Sequence, residues 1–323
     1  MQTDFPKHVV SALGKSRVLI TGGAGFIGGH IGRAVEALGG EVRVLDDLSG
    51  GFESNVPAGA RLYKASVLDR AAVEEAAEGC RFVFHQAAMV SVPVSVENPE
   101  LCTQVNIVGT QNVLEAARKA GAARLMFAAS AAAYGNEPEL PCREDRAADA
   151  WSPYAMSKVA GELLCQTYSR NFGLSTCALR YFNVFGEKQN ANSAYAAVIS
   201  AFEKALRAGV RPKIFGDGLQ TRDFVHVSNV VRANLLAAAS DKPLCGQAIN
   251  IGTGVRTTLV GVLEQMAKAL GKPADCEFLP TRAGDIRDSL ADISRAREVL
   301  GYEPVVDFVS GMGRMFSTDS AGR

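Results

Sequence analysis

The chain has 323 residues, 47% of them hydrophobic, which is enough for one large or two smaller domains with substantial buried cores. Its 34 basic and 34 acidic residues give a formal net charge of zero, and no long block of one sign stands out. We therefore expect no binding to nucleic acid and no attachment to an anionic membrane, and a small ligand is the better candidate partner.

The seven cysteines and four histidines show no metal-binding or disulfide pattern. The cysteines are scattered and lack a C-x-x-C pair, so we expect reduced, buried thiols and no metal. The N-terminal residues lack a signal-peptide core, and no apolar run approaches the roughly 20 residues of a membrane span. We expect a soluble, cytoplasmic protein.

A glycine-rich stretch near the N-terminus predicts a dinucleotide site. The apolar run Arg17–Ile20 leads into Thr21–Gly28, which contains G-x-G-x-x-G between a predicted strand and a predicted helix. The next predicted strand, Glu41–Leu45, ends at Asp46, about 20 residues on, where a carboxylate would bond an adenosine ribose. Glycines let the backbone approach a pyrophosphate, whose charge the helix N-terminus would hold. Asp46 and Asp47 would repel a 2'-phosphate, which favours NAD over NADP.

Strands and helices then alternate along the chain. Predicted strands near Leu62–Lys64, Arg81–Phe84 and Arg124–Phe127 are separated by helices that begin near Ala71 and Pro99. This alternation predicts an α/β protein with a doubly wound parallel sheet of the Rossmann type. Ligands bind such sheets at the carboxyl ends of the strands, so the loops that follow the strands should line the site.

Tyr154 and Lys158 form a candidate proton-transfer pair. They lie four residues apart, after Pro153, which suits the first turn of a helix, so both side chains would share one helical face. A free tyrosine has a pKa of about 10, and we expect the Lys158 charge to lower the pKa of Tyr154 by roughly 1 to 3 units. Ser130, at the end of a predicted strand, could meet the tyrosine. The alternative is a chance pairing on an amphipathic helix, with Ser130 bonding its own backbone.

The second half of the chain changes in character after the strand predicted at Leu174–Arg180. Short glycine- and proline-rich segments and a helix near Ala194–Ala208 indicate a smaller substrate domain. Segments near Phe224–Val227 and Ala248–Ile251 are strand-like, and we expect them to return to the main sheet. The expected domains are therefore 1–182 for the dinucleotide, with 219–252 returning to it, and 183–323 mainly for the substrate.

Several ordered motifs identify a family resemblance. They are T-G-G-A-G-F-I-G (21–28), L-D-D-L-S-G-G (45–51), H-Q-A-A (85–88), S-x-x-x-Y-G (130–135), Y-x-x-x-K (154–158), R-Y-F-N-V-F-G (180–186) and R-D-F-V-H-V (222–227). With these motifs the chain resembles the extended short-chain dehydrogenase/reductase family, in particular its nucleotide-sugar 4-epimerases. It is most similar to the UDP-N-acetylglucosamine 4-epimerases.

The resemblance implies an NAD-dependent enzyme that interconverts UDP-GlcNAc and UDP-GalNAc, with weaker activity on UDP-Glc and UDP-Gal. In that mechanism Tyr154, as phenolate, takes the proton of the sugar 4-hydroxyl directly or through Ser130, while NAD accepts the hydride from carbon 4. The resulting 4-keto sugar turns and is reduced on its opposite face. The resemblance also implies tightly bound NAD and a homodimer formed through the helices that begin near Pro99 and Tyr154.

The same resemblance implies three sets of site residues. The catalytic set is Ser130, Tyr154 and Lys158. The cofactor-binding set is Gly22, Gly25, Phe26, Ile27, Gly28, Asp46, Asp47, Ser66, Val67, Ala87 and Lys158. The substrate-binding set is Ser91, Ser130, Tyr154, Asn183, Phe215, Arg222, Arg282, Asp285 and Ser289. In this set the resemblance implies that Asn183 and Arg222 hold the substrate diphosphate, that Phe215 lies by the uracil, and that Arg282 and Asp285 bind phosphate and the uridine ribose.

A few positions depart from the family pattern. Ser66 stands where an acidic residue often meets the adenine amino group, and Val90 stands where close relatives tend to have glycine. Ala131 and Ala132 follow the catalytic serine where dehydratases and decarboxylases carry an acid, which favours an epimerase. Ser289 stands where epimerases restricted to UDP-Glc and UDP-Gal have a bulky tyrosine, so it leaves room for an N-acetyl group.

Two alternatives remain open. The chain could be another nucleotide-sugar epimerase, such as a UDP-glucose or UDP-glucuronate 4-epimerase, because a fold does not determine a substrate. It could also be a catalytically silent NAD-binding protein on the same fold. The intact catalytic set argues against the second alternative.

Overall fold

Short apolar segments form one central parallel sheet. The computed structural model describes residues 5–189, 198–281 and 286–317. Its strands are β1 (Arg17–Thr21), β2 (Glu41–Leu45), β3 (Arg61–Tyr63), β4 (Phe82–His85), β5 (Arg124–Ser130), β6 (Thr176–Tyr181), β7 (Asn183–Phe185), β8 (Lys213–Phe215), β9 (Thr221–Arg222), β10 (Phe224–His226), β11 (Ala248–Ile251), β12 (Thr257–Thr258) and β13 (Glu277–Leu279). Among the described residues, seven strands pair in parallel in the order β3-β2-β1-β4-β5-β6-β11. This confirms the predicted doubly wound sheet.

Helices connect the strands and cover both faces of the sheet. They are α1 (Lys7–Leu13), α2 (Phe26–Ala37), α3 (Arg70–Ala77), α4 (Val92–Glu97), α5 (Pro99–Thr103), α6 (Gly109–Lys119), α7 (Pro153–Phe172), α8 (Val198–Arg207), α9 (Val227–Ala239), α10 (Leu259–Leu270), α11 (Ser294–Leu300) and α12 (Phe308–Ser317). A π-helical turn, Gln104–Val108, joins α5 to α6. Across the described ranges, no helix is both long enough and apolar enough to span a bilayer.

Side chains that alternate along the strands pack into two separate hydrophobic cores, one on each face of the sheet. Val18 and Ile20 of β1 pack into the core that includes residues of α1, α2, α9 and α11, whereas Leu19 packs into the core that includes residues of α3, α6 and α7. Successive side chains of a strand point to opposite faces, so one apolar strand serves both layers. Each fully buried Ile, Leu or Val side chain contributes about 1.5–3 kcal/mol, which makes these two cores the main stabilising element.

The order of the strands reverses next to β1. Strand β1 pairs with β2 on one side and with β4 on the other, so the chain leaves β1 and β4 in opposite directions. In doubly wound sheets a ligand crevice opens at this reversal, between the loops that follow the two strands. The glycine loop follows β1, and the loop 86–91 follows β4. The fold therefore places both loops at the predicted cofactor site.

The second half of the chain forms small two-stranded sheets beside a third core. Strand β11 joins the main sheet as predicted, but β10 pairs with β7 outside it, so the prediction for Phe224–Val227 was wrong. Phe224 packs against Phe185 and Phe308, with ring centroids 6.5 and 5.5 Å away, and this aromatic cluster holds β10 in the third core. An apolar strand of three residues does not reveal its partner. The division into two domains stays a prediction.

Helix α8 is described from Val198 to Arg207, within the span predicted as helical. The first residues of that predicted helix, 194–197, lie outside the described residues. The cysteines differ in part from the prediction of buried thiols, because Cys245 is exposed and Cys276 is only partly buried. Cys245 lies in the turn before β11, where it adopts a positive φ of 50°. The other five are buried.

Gly161 controls how closely α7 approaches the sheet. A Cβ added there would lie 2.7 Å from Cε1 of Phe127 on β5, so we expect Gly161→Ala to destabilise the fold by roughly 1–3 kcal/mol through overpacking. Gly313 on α12 is the matched control, because nothing lies within 4 Å of an added Cβ. There the better helix propensity of alanine should stabilise by about 0.5–1 kcal/mol. Urea unfolding measures both, and equal effects of the two substitutions would contradict the packing argument.

Candidate functional site

Two glycines allow the loop after β1 to lie against the loop after β4. Gly22 has a φ of +71°, and a Cβ there would lie 2.6 Å from the backbone nitrogen of Ala87. A Cβ at Gly28 would overlap the carbonyl group of Gly22. Helix α2 begins at Phe26 without a side-chain cap, so its first amides remain available to an anion, and Ile27 packs against the core below.

Asp46 fixes the glycine loop to the end of β2. Its Oδ2 accepts the amide of Ala24 at 2.9 Å, and its Oδ1 accepts the amide of Leu48 at 2.9 Å. Burial raises the pKa of Asp46, and these two amides lower it. Each carboxylate oxygen has a further lone pair, so the group can still bond a ribose. Asp47 is exposed, and its Oδ1 accepts the amide and hydroxyl of Ser49 in a local turn.

The loop after β3 carries the other predicted adenine contacts. Ser66 Oγ accepts the amide of Leu68 at 3.2 Å, so the serine forms a turn of its own. Val67 is buried, and its carbonyl accepts Nδ2 of Asn112 at 3.1 Å. Both residues follow β3, the edge strand, so they lie at the carboxyl edge of the sheet, where the neighbouring strand β2 also ends.

A buried histidine beneath the crevice was missed by the sequence reasoning. His85 ends β4, its Nδ1 lies 2.7 Å from Oγ1 of Thr21, and its Nε2 lies 2.9 Å from Oγ1 of Thr110. Burial, and then the charge of Lys158, lower the pKa of His85 to about 3, so the ring is neutral. The Thr21 hydroxyl also accepts the amide of Ala87 at 3.4 Å. A polar residue that ends the apolar strand F-V-F-H was the available signal.

Ser130, Tyr154 and Lys158 converge at the carboxyl end of β5. Ser130 is the last residue of β5, and its hydroxyl lies close enough to the phenol of Tyr154 to lower the pKa of the tyrosine. Helix α7 begins at Pro153, with Ser152 as a side-chain N-cap, as the proline suggested. The tyrosine and lysine then lie one turn apart on α7. The three residues that the resemblance assigned to catalysis therefore share one location.

The expected electrostatic role of Lys158 differs in this structure. Lys158 is buried, its Nζ donates to the carbonyl of Ala128 at 2.8 Å, and it lies 5.8 Å from the ring centroid of Tyr154. Burial lowers the pKa of Lys158 to about 8. Burial raises the pKa of Tyr154, and the hydroxyl of Ser130 opposes this. The prediction that Lys158 lowers the tyrosine pKa was wrong for the protein alone, because its ammonium is held by a backbone carbonyl.

Asn106 joins the loop 86–91 to α7. Its Oδ1 accepts the amide of Met89 at 2.7 Å, and its Nδ2 donates to the Met89 carbonyl at 3.0 Å and to Ser157 Oγ at 2.9 Å. Asn106 lies in the π-helical turn, which interrupts the regular helical spacing. That register change is why sequence periodicity missed this residue.

Serines of α4 complete this side of the site. Ser91, a predicted substrate residue, is fully buried, and its Oγ accepts the amide of Val94 at 2.9 Å as the N-cap of α4. One turn later, Ser95 Oγ accepts the amide of Tyr154 at 3.1 Å. The second contact ties the first turn of α7 to α4. A hydroxyl can donate as well as accept, so Ser91 keeps the capacity to bond a ligand.

Backbone pairing brings three predicted substrate residues together. The amide of Asn183 donates to the carbonyl of Asp223 at 3.0 Å, next to Arg222 in the chain. The amide of Ser289 donates to the carbonyl of Thr221 at 3.1 Å, on the other side of Arg222. The carbonyl of Thr221 also accepts Nη1 of the arginine at 2.9 Å. The backbone around Arg222 thus connects Asn183 and Arg222, the expected diphosphate contacts, to Ser289, which is expected to lie beside the sugar.

Three further substrate predictions lie further along this region. Phe215 ends β8, and its carbonyl accepts Nε2 of Gln220 at 2.6 Å, which ties β8 to the start of β9. Arg282 and Asp285 lie outside the described residues. Their proposed contacts with phosphate and ribose stay predictions.

The arrangement fits a dinucleotide. Gly25 caps α2 with an extended backbone, and Gly22 and Gly28 let the loop pack against neighbouring backbone where a Cβ would clash. Asp46 closes the other side of this loop, and Lys158 lies near Tyr154. The glycine loop would hold the pyrophosphate of the dinucleotide, and Asp46 would bond its adenosine ribose. Lys158 would hold the nicotinamide end, next to the reacting sugar.

Comparison with known proteins gives consistent matches over nearly the whole chain. Residues 18–252 match the model of the NAD dependent epimerase/dehydratase family. The UDP-glucose 4-epimerase of Mycolicibacterium smegmatis is 39% identical over 305 residues, covering 92% of this chain and 96% of that protein. The UDP-glucuronate 4-epimerase of Thermodesulfobacterium geofontis is 31% identical over 310 residues, covering 92% of this chain and 94% of that protein.

Solved structures agree with this. The UDP-N-acetylglucosamine 4-epimerase of Methanobrevibacter ruminantium, in complex with UDP-N-acetylmuramic acid, has a TM-score of 0.90 and 35% identity, covering 96% of this chain and 99% of that one. The UDP-glucose 4-epimerase of Thermus thermophilus, in complex with NAD, has a TM-score of 0.87 and 36% identity, covering 95% of this chain and 100% of that one. This chain therefore belongs to the NAD-dependent epimerase/dehydratase family, and NAD is the dinucleotide that its glycine loop fits.

Proposed function

We propose that the protein is a UDP-sugar 4-epimerase that interconverts UDP-GlcNAc and UDP-GalNAc. The observation that carries this proposal is the convergence of Ser130, Tyr154 and Lys158 beside the crevice of the glycine loop. The 4-epimerases among the relatives and solved neighbours support the reaction type. The direct test is to incubate the purified protein with UDP-GlcNAc, UDP-GalNAc, UDP-Glc, UDP-Gal and UDP-glucuronate and to resolve the products.

The protein groups would handle the proton while the cofactor handles the hydride. Bound NAD supplies the acceptor and later the donor for the hydride at carbon 4 of the sugar. Tyr154 takes the proton of the 4-hydroxyl, and Ser130, close to the phenol, orients that hydroxyl or relays the proton. Lys158 holds the carbonyl of Ala128, and so keeps the base next to the end of β5. Arg222 would hold the diphosphate as a charge-assisted donor.

The turn after Ser130 supports an epimerase over a dehydratase or a decarboxylase. The residues Ala131–Tyr134 form a 3₁₀ turn, and Ser130 Oγ accepts the amide of Ala132 at 3.1 Å. This turn begins with two alanines, so it offers no acid at the positions where the related lyases carry one. An epimerase needs no such acid, because its reaction is one oxidation undone by one reduction.

The choice of the acetylated sugars rests on Ser289. A small residue at this position leaves volume beside carbon 2 of the sugar, and the UDP-N-acetylglucosamine 4-epimerase among the solved neighbours is consistent with it. The second candidate is a UDP-glucose 4-epimerase, which the 39% identical relative favours. Either enzyme would cycle its own NAD, so we propose that NAD stays tightly bound.

We also propose that the protein is a homodimer formed through an apolar helix surface on α4, α5, α6, α7 and the π-helical turn. Leu101 and Val96 are 50% and 62% exposed, and Leu163 of α7 is 57% exposed. Met156, seven residues before Leu163, lies on the same face of α7 and is 42% exposed. Exposed apolar side chains grouped on adjacent helices indicate an interaction surface.

Tyr154→Phe should lower turnover by about 100-fold or more, because it removes the proton-accepting oxygen and leaves the ring in place. The bound NAD should stay at the wild-type level, which is measured by denaturing the protein and assaying the released dinucleotide. Wild-type turnover in this variant would contradict the role of Tyr154. A loss of NAD together with activity would show that the substitution acts on binding.

Ser289→Tyr should lose the acetylated substrates selectively, because a bulky side chain that overpacks the sugar pocket costs about 1–3 kcal/mol. The measurement is the ratio of kcat/KM for UDP-GlcNAc to that for UDP-Glc. Ser289→Ala is the matched control, since it removes the hydroxyl and keeps the space. An unaltered ratio in Ser289→Tyr, or a wild type that does not turn over either acetylated sugar, would contradict the proposed role of Ser289.

Leu163→Glu should convert a dimer into a monomer, because it places a charge within the apolar helix surface. Light scattering on a sizing column measures the mass of wild type and variant at equal concentration. Val210→Glu is the control, because Val210 is equally exposed, at 59%, and follows α8 outside that surface. A monomeric wild type, or a dimer that survives Leu163→Glu, would contradict the proposed interface.

A further inference from the structure

A buried tyrosine–asparagine hydrogen bond lies between the catalytic turn and the chain segment that carries Ser289. Tyr134 OH donates to Oδ1 of Asn250 at 2.6 Å. Tyr134 is 3% exposed and Asn250 is fully buried. Neither residue belongs to the site sets derived above, although each is close in the chain or in space to a residue that does.

Tyr134 is rigidly attached to the catalytic side. It closes the 3₁₀ turn that starts directly after Ser130. The guanidinium of Arg180 lies 4.7 Å from its ring centroid, and the ring of Phe182 lies 6.2 Å away on centroids. Arg180 in turn forms two hydrogen bonds with Glu162 of α7, at 2.8 and 2.7 Å. The phenol of Tyr134 is thus held by the strand and the helix that position the catalytic residues.

Asn250 is attached to the opposite side, the segment 286–292, which we name the Ser289 segment. Its Nδ2 donates to the carbonyls of Cys142 and Asp292, at 2.9 and 3.2 Å. The same stretch of backbone is paired with Cys142, whose amide donates to the carbonyl of Leu290 at 2.7 Å. One asparagine amide therefore bridges the catalytic turn and the backbone that leads away from Ser289.

We propose that Tyr134 and Asn250 are positioning residues that set the distance between the catalytic serine and the Ser289 segment, and thereby the sugar selectivity of the enzyme. The inference rests on the proposed UDP-sugar 4-epimerase function. Both residues act through backbone that they hold, and neither is proposed to touch the substrate. The distance matters for the sugar ring of the substrate, because its carbon 4 has to reach Tyr154 while its carbon 2 substituent lies beside Ser289.

Other hydrogen bonds also hold the Ser289 segment, so losing the Tyr134–Asn250 bond should move the segment without unfolding it. The amide of Ser289 bonds the carbonyl of Thr221, and the amide of Ala291 bonds Oδ2 of Asp223 at 3.2 Å. These contacts hold the segment to β9 and to Asp223, which lies between β9 and β10, whether or not Asn250 is engaged. Loss of the Tyr134 hydroxyl would leave Oδ1 of Asn250 without this donor and let the side chain reorient. The segment would then shift relative to Ser130 and remain folded.

The test is Tyr134→Phe, which removes the hydroxyl and keeps the ring beside Arg180. We measure kcat/KM for the five UDP-sugars and form the ratio between the two sugars that the wild type separates most. We expect this ratio to fall toward one by about three- to tenfold, the equivalent of one lost buried hydrogen bond, with bound NAD unchanged. Tyr168→Phe is the control. Tyr168 of α7 is also buried, and its hydroxyl donates to Glu115 of α6 at 3.3 Å, away from the Ser289 segment.

The outcomes separate this inference from the proposed function. A wild type without turnover on any UDP-sugar overturns the proposed function. A discriminating wild type whose ratio is unchanged in Tyr134→Phe, or equally changed in Tyr168→Phe, overturns the inference alone, and so does a wild type that separates none of the sugars. Tyr134→Phe should also add nothing in an Asn250→Ala background, because the two residues act as one unit. Independent, additive effects would refute the coupling.

Discussion

The buried ion pair between Arg180 and Glu162 is the contact on which the position of α7, the helix that carries Tyr154 and Lys158, depends. Its side chains are only 6% and 5% exposed, and two hydrogen bonds join them. Removing one partner would leave an uncompensated buried charge, which costs about 3–5 kcal/mol. Glu162 lies one helical turn after Lys158, so α7 cannot turn or slide along β6 without separating these charges. The pair therefore fixes the height at which Tyr154 meets Ser130.

The same burial that fixes the site also opposes charge within it. It raises the pKa of Tyr154, lowers that of Lys158 to about 8, and lowers that of His85 to about 3. Among the residues that the structure describes, the hydroxyl of Ser130 lowers the pKa of the tyrosine, against the larger effect of burial. On its own the protein therefore keeps the phenol protonated at neutral pH. In the proposed mechanism a bound ligand would have to change this balance before the tyrosine could accept a proton, which would couple the chemistry to occupancy of the crevice.

The parts of the site that depend on local spacing could be predicted from the sequence. A strand, a glycine loop, a helix and a carboxylate at the end of the next strand appear where the pattern placed them, and Tyr154 and Lys158 share a helical face. The direction of the Lys158 ammonium could not be predicted, because a spacing of four residues says nothing about the carbonyl of Ala128. Asn106 was hidden by the π-helical turn, and β10 by an apolar run that fits either of two sheets.

The sugar side of the site depends instead on contacts between distant parts of the chain. Ser289 is positioned by Thr221 and, through its neighbours, by Asp223 and Asn250, and none of these pairings leaves a periodic signal. Each is a single hydrogen bond, so each can change without loss of the fold, whereas the glycine loop and the Arg180–Glu162 pair cannot. A family built in this way can keep one reaction while its substrate changes. That difference explains why the reaction type can be argued from motifs, while the sugar has to be argued from the structure and measured.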